Sequence, residues 1–124
     1  MAGSSSECRW CGPQVAVVGE PFSRNQTHFA VAKTNPKHPA AMVVPFRHVE
    51  APFDFTAKEW GDFGEMLMEA KRYLSQFNPD GFTIGWNVGT AGGQHTFHAH
   101  LHVICRYGSE PVAGRGLRDF VLRV

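Results

Sequence analysis

Apolar and polar residues alternate in short runs along most of this chain, and one long stretch with helical spacing interrupts them. Val15 to Val18, Phe29 to Ala32 and Ala41 to Val44 are short apolar or β-branched runs bounded by Gly and Pro, the pattern of strands. Thr56-Ala57-Lys58-Glu59 is a capping-box pattern that opens a helix. Behind it, Trp60, Phe63, Leu67, Ala70, Leu74 and Phe77 recur at steps of three and four. They form one apolar stripe for the core, with Asp62, Glu65, Glu69 and Arg72 off it. Asn78-Pro79-Asp80-Gly81 stops the helix. Phe82, Ile84, Trp86 and Val88 then alternate with Thr83, Gly85 and Asn87 as a fourth strand. A glycine-rich turn, Gly89 to Gly93, leads to a last strand from about Thr96 to Cys105. Residues 1–7 read as disordered, and residues 106–124 as a glycine-rich basic tail with weak signals. The sum is a single α+β domain over residues 1–124, with a mostly antiparallel sheet of about five strands and one long helix.

Composition narrows the partners. A net charge of +1 gives no bulk electrostatic case for nucleic acid or a membrane surface. No apolar run reaches the length of about 18 residues that a membrane span needs. The start lacks the apolar core of a secretion signal, so a cytoplasmic location is the expectation. Three cysteines argue against a closed disulfide framework. Cys8-x-x-Cys11 is compatible with metal or redox chemistry, and Cys105 reads as a small buried residue. His28 and His38 read as surface groups.

The last strand carries the chemistry. His98, His100 and His102 alternate with Phe97, Ala99, Leu101 and Val103. With a period of two, the three imidazoles share one face, next neighbours about 6.5–7 Å apart. Such a face suits two jobs. One is metal binding, where neutral imidazoles converge on a cation. The other is nucleophilic catalysis, where one imidazole attacks and the others hold charge. Gly92-Gly93 lets backbone N–H groups approach an anion, and Gln94 and His95 add donors.

His98-Ala99-His100-Leu101-His102-Val103-Ile104 resembles the signature of the histidine triad (HIT) family, three histidines alternating with hydrophobic residues. Asn87, Gly93-Gln94 and Val44-Pro45-Phe46-Arg47-His48 resemble that family in the same order along the chain. The resemblance implies a HIT-like fold and a nucleotide-binding hydrolase. It would cleave a nucleoside phosphoanhydride or phosphoramidate at the α-phosphate through a nucleotidyl-histidine intermediate. By the same resemblance His100 is the nucleophile, and His102 donates to phosphate oxygens. Gln94 contacts the phosphate or leaving group, and Asn87 supports the site. His95 either donates to phosphate or is solvated. The zinc-containing C-x-x-C branch implies a structural Zn site of Cys8, Cys11, His48 and His98. The implied partners are a purine nucleotide or dinucleoside polyphosphate substrate and a second copy in a homodimer. A nucleotidyltransferase or phosphorylase on the same fold, and a non-enzymatic zinc- or nucleotide-binding protein, stay open as alternatives.

The chain also departs from that pattern. Pro39-Ala40 stands where many relatives have Gly-His, and Ala32 or Lys33 where many have an Asp for the ribose hydroxyls. Gly114-Arg115-Gly116-Leu117-Arg118 resembles the glycine-arginine tail of some diadenosine polyphosphate hydrolase-like members. Arg118 would reach a distal phosphate there, or the tail is simply solvated.

Overall fold

The computed structural model describes residues 8, 10, 11, 19–33, 35 and 37–121. The expected strand over Val15 to Val18 and the N-terminal residues 1–7 lie outside them. Five strands form one antiparallel sheet: β1 (Pro21–Arg24), β2 (His28–Lys33), β3 (Ala40–Pro45), β4 (Gly81–Gly85) and β5 (Leu101–Arg106). Their spatial order is β1-β2-β3-β5-β4. Helix α1 (Ala57–Leu74) joins β3 to β4, and a short α2 (Leu117–Val121) follows β5. The α+β class, the antiparallel sheet and the long helix therefore stand as expected. No described helix is long and apolar enough to cross a membrane.

Alternation sorts the sheet into two faces. Ala30, Ala41, Val43, Leu101, Val103 and Cys105 are buried against Met66, Ala70 and Leu74 of α1. On the other face, Phe29, Val31, Met42 and Val44 are buried against Cys8 and Trp10. That second face also carries His102 of β5. Register places Met42 and Gly85 on either side of His102. Because Gly85 has no side chain, the sheet beside His102 is left open.

Thr56 caps α1 as expected: its hydroxyl accepts from the Glu59 amide at 3.1 Å, while the Glu59 carboxylate accepts from the Thr56 amide at 2.9 Å. Phe63, Leu67, Ala70 and Leu74 of the expected stripe pack on the core, but the fully buried face of α1 is not that whole stripe. It runs Glu59, Asp62, Met66, Ala70 and Leu74, while Trp60 and Phe77 are exposed. Asp62 is therefore a buried residue, not one off the core. It is held there by the Thr27 hydroxyl at 3.0 Å and the Lys58 ammonium at 3.2 Å. Thr27, in the turn before β2, and Lys58, one turn back on α1, offset the cost of desolvating it.

Other boundaries shift too. β1 occupies Pro21–Arg24, a segment for which the apolar pattern predicts no strand. Regular β4 ends at Gly85 and regular β5 begins only at Leu101, so Trp86 to Val88 and His98 to His100 lie in irregular backbone. His28 is fully buried, in contrast to its expected surface position. Its Nδ1 pairs with the Thr27 hydroxyl at 2.9 Å, and its ring meets Phe55 edge-on. His38 is half-buried and bonds the Cys105 carbonyl at 2.8 Å. Both were drawn inward by partners far away in sequence. Cys105 is buried as expected.

Candidate functional site

Three groups converge on the histidine face: a cysteine–histidine cluster at one end, His100 in the middle, and a cavity at the other. The cluster holds Cys8, Cys11, His48 and His98, with one ligand atom from each within 4.8 Å of all the others. His98 Nδ1 lies 3.3 Å from Cys8 Sγ and 3.2 Å from Cys11 Sγ, and His48 Nδ1 lies 3.2 Å from Cys11 Sγ. Tetrahedral zinc with ordinary Zn–S and Zn–N bonds would separate S and N by about 3.6 Å, close to these three distances.

The cluster's surroundings fit a metal as well. His98 Nε2 sits 2.7 Å from the Pro45 carbonyl, which can only accept. The proton is thus on Nε2, and the Nδ1 lone pair faces the sulfurs, as a metal-bound His is usually oriented. Burial holds the His98 pKa down to about 4, so the ring is neutral. Burial, with Cys8 beside it, pushes the Cys11 thiol up to about 12. A bound cation would reverse that direction by stabilising thiolate. His48 reaches the cluster because its turn is clamped to α1. Arg47 makes a two-pronged contact with the buried Glu59, at 3.0 and 2.8 Å, and also donates to the Asp54 carbonyl.

His100 is oriented by that cluster in two ways. Its Nδ1 donates to the His98 carbonyl at 2.8 Å, which leaves the lone pair of the neutral ring on Nε2. Its ring stacks on Trp10, centroids 5.6 Å apart and planes 29° apart. Trp10 is itself 3% exposed and packs on Phe29. The backbone amide of Trp10 points at Cys8 Sγ from 3.4 Å. His102 lies beside His100, centroids 4.9 Å apart at 69°. Burial first, then His100 and Lys33, lower the His102 pKa to about 4.

Beyond His102 a cavity of about 570 Å³ opens between the sheet and the C-terminal segment. Asn87 and Trp86 line one side, Lys33 and His38 another, and Arg115 and Phe120 the cover. The segment that read as a tail is thus partly ordered. Arg106 reaches out of β5 to grip it, donating to the Arg115 and Val112 carbonyls and to Glu110.

The structure brings together most of the residues singled out from sequence, but not all. Cys8, Cys11, His48 and His98 meet, as do His100 and His102, and Asn87 lines the same cavity as His102. Gln94 is buried, and its amide is spent on its own loop and on the Glu50 segment. It donates to the Glu50 and Thr96 carbonyls and accepts from the Gly89 amide. The Gly92, Gly93 and Gln94 amides also turn inward, onto the Gly89 and Thr90 carbonyls. Gly92 is required by packing, since a Cβ there would meet the Val88 carbonyl oxygen at 2.2 Å. Gly93 has φ +96, a conformation that side chains disfavour. His95 is exposed at the end of this turn. Sequence reasoning missed Trp10, the Arg47–Glu59 clamp and the lining role of Lys33 and Arg115. Only Trp10 carried a local signal, a large aromatic between two cysteines.

A family model described as HIT domain matches residues 20–109. An "AP-4-A phosphorylase" of Mycobacterium tuberculosis is 35% identical over 91 residues, 71% of this chain and 47% of that protein. The chain spans about half the length of the curated relatives it matches. Among solved structures, a member of the HIT family from Bacillus subtilis superposes with a TM-score of 0.68 at 25% identity, covering 83% of this chain and 75% of that one. The diadenosine triphosphate hydrolase of Plasmodium falciparum, in complex with cyclomarin A, superposes with a TM-score of 0.63 at 22% identity over 73% of this chain and 63% of that one.

Proposed function

Because this chain belongs to the HIT family, we propose that it cleaves a nucleoside phosphoanhydride or phosphoramidate at the α-phosphate, with His100 as nucleophile. The observation that carries this reading is the fixed tautomer of His100. Nδ1 is committed to the His98 carbonyl, so Nε2 presents a lone pair beside His102. Nε2 attacks the α-phosphorus, the bond to the leaving oxygen or nitrogen breaks, and that atom takes up a proton. A phosphorus–nitrogen bond to His100 now holds the nucleotidyl group. Water adds to phosphorus, loses its proton and displaces Nε2, which releases a nucleoside monophosphate. Inserting a covalent intermediate splits one difficult displacement into two easier ones.

His102 is held neutral by burial, and a neutral imidazole donates from one nitrogen only. It offers a phosphate oxygen a hydrogen bond without the charge that would trap the product. Asn87 lines the adjoining cavity, and exposed His95 would meet the departing group. Gln94 would reach a ligand only by exchanging its loop bonds, so its part here is to hold the turn that carries His95. Cys8, Cys11, His48 and His98 would hold zinc in a closed, structural site, which ties the N-terminal segment to the catalytic residues. Exposed Trp60 and Met68 on α1, and Ile84 on β4, suit the second copy of a homodimer.

One observation favours a second reading. The Mycobacterium tuberculosis relative is named a phosphorylase. If inorganic phosphate replaced water in the second step, the product would be a nucleoside diphosphate.

Rapid quenching with adenosine 5′-phosphoramidate or a dinucleoside polyphosphate, followed by mass spectrometry, tests the reading. A nucleotidyl adduct on His100 is expected, with turnover lost by about a thousandfold or more in His100→Ala. Full turnover by that variant would rule the assignment out. Products formed with and without added phosphate separate the two second steps.

A further inference from the structure

The cavity beyond His102 has an unusual charge balance for a nucleoside site. A free ribose diol is ordinarily bound by a carboxylate that accepts from its hydroxyls, whereas a phosphorylated sugar calls for a cation. Among the lining residues the one carboxylate is Glu110. It is already occupied. Arg106 donates to it from Nε and Nη2 at 2.7 to 3.0 Å, and the Tyr107 amide donates at 2.7 Å. Lys33 and Arg115 also line the cavity, and among the described residues neither has a carboxylate within 4.0 Å.

Their placement follows from the register. Lys33 pairs with Ala40, which pairs with Ile104. Lys33 therefore lies two residues along the histidine face from the row of Met42 and His102. It is also close enough to lower the proton affinity of His102. Arg115 approaches from the covering segment, which Arg106 fixes in place by bonding the Arg115 carbonyl at 2.8 Å. A ligand phosphate at His100 would thus send its sugar across His102 towards two cations and no unpaired carboxylate. Trp86 and Phe120 supply flat apolar walls for a base.

We propose that this cavity selects nucleotides whose sugar bears a second phosphoryl group, at the 2′ or 3′ position, and that Lys33 and Arg115 recognise that group. The proposal rests on the reading of His100 as the phosphate-facing residue. Its test is therefore a binding measurement that needs no turnover.

Calorimetric titration of the full chain would use adenosine 5′-monophosphate, adenosine 2′,5′-bisphosphate and adenosine 3′,5′-bisphosphate. One of the bisphosphates should bind at least tenfold more tightly than the monophosphate, and the gap should narrow as salt rises. In Lys33→Gln combined with Arg115→Gln the gap should collapse to within about twofold, with the thermal midpoint serving as a check on folding. Removing a hydroxyl, with 2′-deoxyadenosine 5′-monophosphate, should change affinity less than twofold. Equal or tighter binding of the monophosphate would overturn the proposal, as would a preference that survives the double substitution. If the unphosphorylated ribose substrate is nevertheless turned over through a His100 adduct, the functional reading stands and only this inference falls. If no adenosine nucleotide binds, the inference is rejected, and the adduct experiment decides the functional reading separately.

Discussion

The two ends of the histidine face solve opposite problems. At one end His98 is completely enclosed, with both ring nitrogens committed, one to the Pro45 carbonyl and the other to two sulfurs. At the other end His102 is half-buried beside Gly85 and opens onto a large cavity. They are four residues apart, and identical in chemistry. Neighbours make the difference: two cysteines and a clamped loop close one site, while a glycine and a charged cover keep the other open. His100 lies between them and depends on the closed end for its orientation. On the proposed reading, a rigid, satisfied site next to an open one presents His100 as a nucleophile without letting its ring wander.

Breaking the closed end should have the largest effect. Cys8→Ser with Cys11→Ser should abolish bound zinc, measured by elemental analysis, and lower stability by about 3 kcal/mol or more, roughly 10 °C or more in the midpoint. Purified native protein without zinc, or full retention of zinc after the double substitution, would rule the site out.

The link from the closed end to His100 should have a smaller effect. Trp10→Leu keeps an apolar side chain but removes the flat surface on which His100 stacks. We expect kcat to fall about tenfold, equivalent to about 1.4 kcal/mol of barrier, with KM and zinc content little changed. Trp10→Phe should restore most of the loss. A drop in kcat that merely follows loss of zinc or of thermal stability would mean that Trp10 acts only through folding.

The smallest effect should come from proton linkage at the open side and under the helix. His102 and His28 both have folded pKa values lowered to about 4, chiefly by burial. A depressed folded pKa means that the unfolded chain binds more protons between pH 6.5 and 4. Stability is therefore fully present above pH 6.5 and lost as pH falls through that window. Between pH 7 and 5 the thermal midpoint should drop, with the slope steepest below pH 6.5. His28→Gln should flatten the slope more than His102→Gln, because His28 is fully enclosed and His102 is partly wet. An equal slope in all three proteins would show that these rings do not control the acid sensitivity.

Much of the fold was legible because its signals are local. The Thr56–Glu59 capping box needs only one turn of chain, and it formed as read. The helix and four of the expected strand regions follow from apolar spacing. The failures share a cause. Asp62 and His28 looked like surface residues, yet each is buried by partners that are remote in sequence, Thr27 for Asp62 and Phe55 for His28. Gln94 looked like a ligand donor, but the Glu50 carbonyl, 44 residues away, takes its amide. Local pattern reports what a residue prefers, and only packing reports which partner it obtains.

By itself, the sequence determined the alternation that puts His98, His100 and His102 on a common side, the helix that backs the sheet, and the two cysteines and two histidines that suit a zinc site. Those are matters of period, capping and donor chemistry, carried by neighbouring residues. The tertiary structure alone decided that the three histidines have three environments. It brought Cys8 across 90 residues to His98, laid Trp10 on His100, and placed Lys33 and Arg115 around the cavity at His102. The reason is that proton affinity and ligand preference are set by burial and by charges in space, and neither is written in the order of residues along a strand.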